Sequence, residues 1–471
     1  MSGLTNAASP AVISLLHIAL AAGVTVHVLL HKRDAGSAMA WIGLAWLAPI
    51  LGAALYLLLG INRVKRRARN LRGLRPAAPM AQPPRASGRD DHLEPLERAS
   101  EQISRRPAPA GNAVSMLRNG DTAYPRMIAA IEGARSTIAM ASYIFRADAT
   151  GTAFIDALIG ATRRGLDVRV LIDGIGGGYF LSPAYHRLRR AGVPVARFLH
   201  SPLPWRMPFL NLRNHRKLLA VDGRIAFSGG LNIGAENLTH HPSSWTVLDT
   251  HFEVRGPVVA QLTDAFADDW LFTTHEQLAG DRWFPVAEPA GDAVARVVTS
   301  GPDQDLEKIE VLILAAIGCA RTSIRVMTPY FLPDDRIITA LGVACLRGVQ
   351  VDVILPEHSN HPTVDWAARV QIEPFLAAGG RVWTHPRPFD HSKLMTIDGI
   401  WCLIGSANWD IRSFRLNFEL DIEVYQPDLA RDLDAMITSR QVAPITRAAL
   451  DKRPLVALLR DSAARLMLPY L

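Results

Sequence analysis

The first sixty residues carry almost no polar pattern. Twenty residues from Ala11 to Leu30 hold no charge, and a second uncharged stretch runs from Ala35 to Asn62. Either is long enough to cross a hydrocarbon core of roughly 30 Å as a helix, which predicts spans at about 11–30 and 37–60. Only a few residues around Lys32-Arg33-Asp34 separate them, so a tight helical hairpin is expected. Pro49 should kink the second span, which lipid-embedded helices tolerate. Trp41, Trp46 and Tyr56 suit an interface, and His17 and His27 read as incidental or helix–helix contacts. A cleaved signal peptide fits poorly, because no Lys or Arg precedes the apolar run and a second span follows at once.

After the hairpin the apolar period stops. Residues 63–110 read as a linker, first basic and then rich in Pro, Ala and Arg, as in Pro83-Pro84-Arg85 and Arg106-Pro107-Ala108-Pro109. Beyond it the chain repeats itself. Ala134-Arg135-Ser136-Thr137-Ile138 runs into Ser142-Tyr143-Ile144-Phe145, and Ala320-Arg321-Thr322-Ser323-Ile324 into Thr328-Pro329-Tyr330-Phe331. Each reads as a helix followed by a strand. In each, a second helix ends in Arg-Gly (Arg164-Gly165, Arg347-Gly348) before a buried strand, Val168–Ile172 or Val351–Leu355. Third helices close at Ala191-Gly192 and Ala378-Gly379. This alternation predicts two α/β domains, 111–280 and 281–471, with mixed, largely parallel sheets.

Composition adds a membrane and removes other partners. Nearly half the chain is apolar. The formal charge of +7 is local, because seven basic residues and no acid stand between Arg63 and Arg75. What remains is near neutral, so no nucleic-acid groove is expected. By the positive-inside rule the basic cluster puts that end, and with it the N-terminus and the domains that follow, on the cytoplasmic side of an inner (plasma) membrane. It would also attract anionic head groups. Cys319, Cys345 and Cys402 are too few and scattered for a disulfide framework or a zinc site.

The repeat culminates in two strings related by one offset of 176 residues. The first is His215-Arg216-Lys217-Leu218-Leu219-Ala220-Val221-Asp222, followed six residues later by Gly229-Gly230-Leu231-Asn232. The second is His391-Ser392-Lys393-Leu394-Met395-Thr396-Ile397-Asp398, then Gly405-Ser406-Ala407-Asn408. On a strand, side chains two apart share a face, so each half would present an imidazole, an ammonium and an amide on one surface. A dyad between halves would gather both sets around one anion. One histidine could then attack phosphorus while the other protonates the leaving alkoxide and later deprotonates the incoming alcohol. Lys217, Lys393, Asn232 and Asn408 would hold the non-bridging oxygens, with no metal or other cofactor. Asp222 and Asp398 complete the catalytic motif, but their odd separation from the lysines and the Asp-Gly turn that follows aim them away, towards bonds with turn backbone.

Aligning the next strands on Gly256-Pro257 and Gln426-Pro427 matches Asp249 with Glu419. One carboxylate per half is what orienting two imidazoles requires, although both also fit as surface-strand acids. His240, His241, His251, His358 and His361 stay ambiguous, with His251 and His361 the candidates for a place near phosphate.

These strings resemble those of the phospholipase D superfamily. The surrounding residues are similar to bacterial cardiolipin synthases: Asn211–Lys217, Gly229–Gly234, Thr328–Phe331, His361–Ala367, Gly405–Asn408 and Arg412–Glu419. Ala40-Trp41-Ile42, Gly60-Ile61-Asn62-Arg63 and Arg465–Leu471 extend the likeness over nearly the whole chain. The resemblance implies two phospholipase D-like α/β/α domains and a phosphatidyl transfer between two phosphatidylglycerols, giving cardiolipin and glycerol. It also implies His215 as the nucleophile. A hydrolase or a transphosphatidylase with another alcohol acceptor would use the same residues. Two departures stand near the strings: Ala235-Glu236-Asn237 where the family has Asp-Glu-Tyr, and Asp390 where a small apolar residue is usual.

Overall fold

In the computed structural model, residues 10–32, 35–60, 92–201, 212–240, 245–302 and 305–466 are described. The basic cluster, Pro83-Pro84-Arg85, Asn211, His241 and the last residues, 467–471, lie outside them. The chain divides into two units, 1–67 and 68–471.

In the first unit the apolar runs become helices Pro10–His31 and Ala35–Leu47, followed by Pro49–Leu55 and a π-helical turn, Tyr56–Gly60. The 22-residue first helix is about 33 Å long at 1.5 Å per residue, enough to span. Of the described helices it alone is both long and apolar enough to cross a membrane. The second run breaks at Ala48, whose φ of −140° is extended because a residue before proline avoids the helical region. Val24, Val28, Ala45, Ala53 and Tyr56 form the seam between the runs. Tyr56 is buried there, its hydroxyl 2.7 Å from His27 Nδ1, rather than facing an interface.

The second unit holds two sheets of one plan. In the first half the strands are β1 (Ala113–Arg118), β2 (Thr137–Ser142), β3 (Asp167–Asp173), β4 (Val195–Phe198), β5 (Leu218–Val221), β6 (Ile225–Gly229) and β7 (Thr250–Arg255), in the order β1-β7-β6-β5-β2-β3-β4. The second half has β8 (Val294–Ser300), β9 (Ser323–Met327), β10 (Gln350–Pro356), β11 (Arg381–His385), β12 (Leu394–Ile397), β13 (Trp401–Gly405), β14 (Asn417–Tyr425) and β15 (Ala443–Ile445). Their order, β8-β14-β13-β12-β9-β10-β11-β15, repeats the first and adds an edge. The sheets are mixed: the β2-β3-β4 and β9-β10-β11 strands run parallel, and the other neighbours in the two orders are antiparallel. The motif hairpins β5-β6 and β12-β13 are antiparallel, which makes "largely parallel" wrong for both sheets.

Helices cover the sheets as the alternating pattern requires. Helix Ala149–Arg163 is capped by Asp148, which accepts from Gly151 N, and helix Asp335–Leu346 by Asp334, which accepts from Arg336 N and Ile337 N. The almost wholly buried helix Val259–Thr274 packs on β2, β5 and β6 and also meets β8 of the other half. The linker reading of 63–110 fails over its latter part. Helix Glu94–Ser104 puts Leu93 and Leu96 into the second-half core against helix Lys308–Cys319. Its spacing of Leu93, Leu96 and Ser100 is helical, but the surrounding prolines and charges hid it.

Candidate active site

Each motif is entered from the opposite half. Arg213–Asn214 pairs in parallel with Asn417–Phe418 at the start of β14. Phe389–Asp390 pairs in parallel with Val247–Leu248, just before β7. His215 N donates to Phe418 O at 2.9 Å, and His391 N to Leu248 O at 2.7 Å. The histidines and lysines therefore occupy short extended crossings, and the strands proper begin only at Leu218 and Leu394.

That crossing decides which carboxylate each imidazole meets. His215 Nδ1 lies 3.0 Å from Glu419 Oε2 and 3.2 Å from Ser406 O. His391 Nδ1 lies 2.8 Å from Asp249 Oδ2. Each half thus orients the other half's histidine. Both partners of His215 Nδ1 are acceptors, so the proton sits on Nδ1 and Nε2 keeps the lone pair. Lys393 Nζ also approaches His391 Nδ1, at 2.8 Å. One nitrogen cannot donate to Asp249 and accept from an ammonium at once. We assign its proton towards Asp249, with Lys393 donating to His391 O instead.

Asp249 and Glu419 are held in turn. Asp249 accepts from Thr250 N at 2.8 Å. Glu419 accepts from Ser406 Oγ at 2.6 Å and Asn417 Nδ2 at 3.0 Å. The glycines of the downstream strings make room for such carboxylates. A Cβ on Gly230 would stand 2.1 Å from Asp249 Oδ1, and one on Gly405 2.2 Å from Asp421 Oδ1.

Both histidines line one cavity of about 1050 Å³, together with Asn232, Asn408, Tyr143 and Tyr330. Asn232 Oδ1 accepts from Ile144 N at 3.3 Å, whereas buried Asn408 Oδ1 has no protein partner among the described residues. Lys217 Nζ donates to His215 O at 2.7 Å and lies 5.3 Å from the centre of the Tyr143 ring. Burial pulls Lys217 down to about 7, with Lys393 adding to the fall and Glu419 opposing it. Burial likewise brings Lys393 to about 8 against the pull of Asp249 and Glu419. His215 falls to about 4 through burial and Lys217, opposed by Glu419. His391 falls to about 3 through burial and Lys393, opposed by Asp249. Burial works to raise Glu419 and Asp249, yet His215 and Lys393 respectively hold them below the usual carboxylate range. The site therefore holds neutral imidazoles, anionic carboxylates and ammonium groups that lose protons easily.

Asp222 and Asp398 do not line the cavity. Each starts a hairpin turn with positive φ, 53° and 54°, followed by Gly223 and Gly399. Asp222 accepts from the backbone N–H groups of Arg135, Ser136 and Thr137 at 2.7–2.9 Å. Asp398 accepts from Arg321, Thr322 and Ser323 at 2.8–2.9 Å, and from His92 Nε2 at 2.6 Å. Lys217 and Lys393 are likewise not among the lining residues, but the aspartates differ in tying each motif hairpin to the head of β2 or β9.

Among the ambiguous histidines, His358 and His361 line the cavity, and His240 pairs with Asp121 at 2.6 Å. His251 is not among the lining residues. It is buried in β7, both ring nitrogens without a partner among the described residues. Asp390 is buried, accepting from Ser392 N and Oγ. Glu236 lies in a short 3-10 turn and binds Arg146 at 2.6 Å.

Sequence reasoning passed over three contributors. Tyr143 packs edge-on to His215 with ring centres 4.9 Å apart, and Tyr330 stands similarly to His391 at 6.3 Å. Their shared place in the repeated strand ends was the available signal. Asp421 accepts from Ser406 N at 2.9 Å and Ala407 N at 3.1 Å, holding the turn that presents Asn408. Burial pushes it up to about 7. Its slot in the first half belongs to His251, so the alignment of halves did not mark it.

The family model described as "Cardiolipin synthase, PLD-like domain" matches residues 127–270 and 313–440, more than half the chain. The chain belongs to this family. A second model, "Phospholipase_D-nuclease N-terminal", matches residues 19–60. Cardiolipin synthase from Geobacillus kaustophilus is 34% identical over 95% of this chain and 91% of its own length. Major cardiolipin synthase ClsA from Bacillus subtilis is 31% identical over 97% and 98%. Phosphatidylserine synthase from Haemophilus influenzae shares the fold, with a TM-score of 0.61 at 15% identity, covering 80% of this chain and all of its own. Membership with these relatives makes this chain a membrane-associated phosphatidyltransferase of the phospholipase D type, with cardiolipin synthase activity.

Proposed function

We propose that the enzyme moves a phosphatidyl group from one phosphatidylglycerol to the terminal hydroxyl of another through a phosphohistidine. The crossed pairs His215–Glu419 and His391–Asp249 carry this reading, because they turn two histidines with free Nε2 lone pairs towards one cavity. His215 Nε2 attacks phosphorus as the bond to the leaving glycerol oxygen breaks, and His391 protonates that oxygen. The second phosphatidylglycerol gives its hydroxyl proton to His391 and attacks the phosphohistidine, releasing His215. Lys217, Lys393, Asn232 and Asn408 stabilise the non-bridging oxygens. Bound phosphodiester raises the pKa values of the nearby imidazoles and ammonium groups, which supplies His391 with the proton it must give.

The membrane hairpin, with both ends and the catalytic domains on the cytoplasmic side, keeps the site beside its lipids. Cysteine accessibility at either end of the hairpin tests that arrangement. For the reaction, purified enzyme is incubated in phosphatidylglycerol micelles. Cardiolipin with equimolar glycerol is expected, whereas phosphatidic acid as the main product would make the enzyme a hydrolase.

A further inference from the structure

The last described helix, Leu455–Arg465, presents its apolar side to the outside. Leu455, Val456, Leu459 and Leu466 are 61–82% exposed, whereas Asp461 and Ala464 are buried. At about 100° per residue, Leu455, Leu459 and Leu466 fall within about 40° of one another. Arg460 and Arg465 stand on either side of that stripe, and Asp461 and Ala464 lie opposite it. An apolar stripe with basic edges is the pattern of a helix lying in a lipid interface, where arginines reach from the edges to the head groups.

The buried back of the helix fixes which face is presented. Asp461 pairs with Arg453 at 2.5 Å and with Arg460 at 2.7 Å, and Arg369 lies 3.9 Å away. One carboxylate among three arginines leaves this edge net positive. Arg460 also stands over the Trp366 ring, 4.5 Å from its centre. Turning the leucines inward would break all of these contacts with helix Pro362–Ala377.

The direction of the helix ties it to the site. Arg447 meets Glu373 near the end of Pro362–Ala377, while Arg460 and Asp461 meet Trp366 and Arg369 nearer its start. The chain thus runs back towards residues 361–364, which line the cavity. Trp245, 81% exposed, lines the same cavity. After the helix the sequence continues as Met467-Leu468-Pro469-Tyr470-Leu471, without a charged side chain.

We propose that the exposed face of Leu455–Arg465 docks the catalytic unit on an anionic bilayer, with its leucines at the acyl boundary and its arginines among the head groups. The cavity then opens beside the lipid from which its substrate comes. The basic edges favour an anionic surface. They disfavour a second copy of the chain, because packing leucine face to leucine face sets arginine against arginine. The inference goes beyond the transfer reaction and rests only on the substrate being a membrane lipid.

The full-length enzyme is reconstituted in vesicles of equal parts phosphatidylglycerol and phosphatidylcholine. A photoactivatable benzophenone side chain in place of Leu459 should give lipid adducts on irradiation. Adducts with a second copy or with residues 467–471, or no lipid adduct, overturn the proposal. The double variant Leu455→Glu, Leu459→Glu charges the face without touching the cavity. Its turnover of vesicle phosphatidylglycerol should fall at least tenfold. Turnover of monomeric dihexanoyl phosphatidylglycerol, which also reports folding, should stay within twofold of the parent. An unchanged vesicle rate overturns the proposal, as does an equal loss on both substrates. A parent inactive on both substrates would instead defeat the transferase reading.

Discussion

At the scale of single residues, the chemistry depends on which nitrogen of each imidazole carries a proton. Glu419 holds Nδ1–H of His215, so Glu419→Gln frees the wrong tautomer and should lower turnover by roughly 10²–10⁴-fold. His215→Ala and His391→Ala should each abolish turnover in the product assay. In kcat/KM, which reports the free enzyme, the acid limb follows His215 near 4, because the attacking imidazole must be neutral. The alkaline limb follows Lys217 near 7 and Lys393 near 8, which lose their charge as pH rises. Glu419 props up the Lys217 pKa, so Glu419→Gln should also move the alkaline limb to lower pH. A pH–rate profile with an unmoved limb would assign that limb elsewhere.

At the scale of elements, the two aspartates of the motifs belong to the hairpins. Three backbone N–H groups lose their acceptor in Asp222→Ala, at a cost of about 2–4 kcal/mol in unfolding experiments. Turnover per folded molecule should fall far less than in Glu419→Gln. Gly230→Ala is the opposite case. Its Cβ would meet Asp249 Oδ1, so it should drive the carboxylate off His391 and cost activity on the scale of losing that carboxylate. The alternation of strands and helices, the Asp-Gly turns and the paired helices were legible because period and turn chemistry are local. The helix Glu94–Ser104 was not, because two buried leucines gain meaning only against the second-half core.

At the scale of the whole molecule, each half supplies the carboxylate for the other half's histidine. Both histidines must therefore act within one chain, and mixing His215→Ala with His391→Ala enzyme should restore no cardiolipin synthesis. Recovered activity in the mixture would show exchange of halves between chains. In the proposed mechanism two lysines and two amides supply the charge stabilisation, so EDTA should leave the rate unchanged. A loss reversed only by a divalent cation would require a different mechanism.

The sequence by itself determined the apolar runs, the duplicated α/β plan and the two histidines that line the cavity, since periodicity and a repeat of 176 residues are properties of the chain alone. It also matched Asp249 with Glu419, one in each half. Only the tertiary structure decided that they serve opposite halves. Their pairing depends on Arg213–Asn214 and Phe389–Asp390 each joining a strand of the other half. Such a crossing is made by backbone hydrogen bonds, which carry no side-chain signature for a sequence to display.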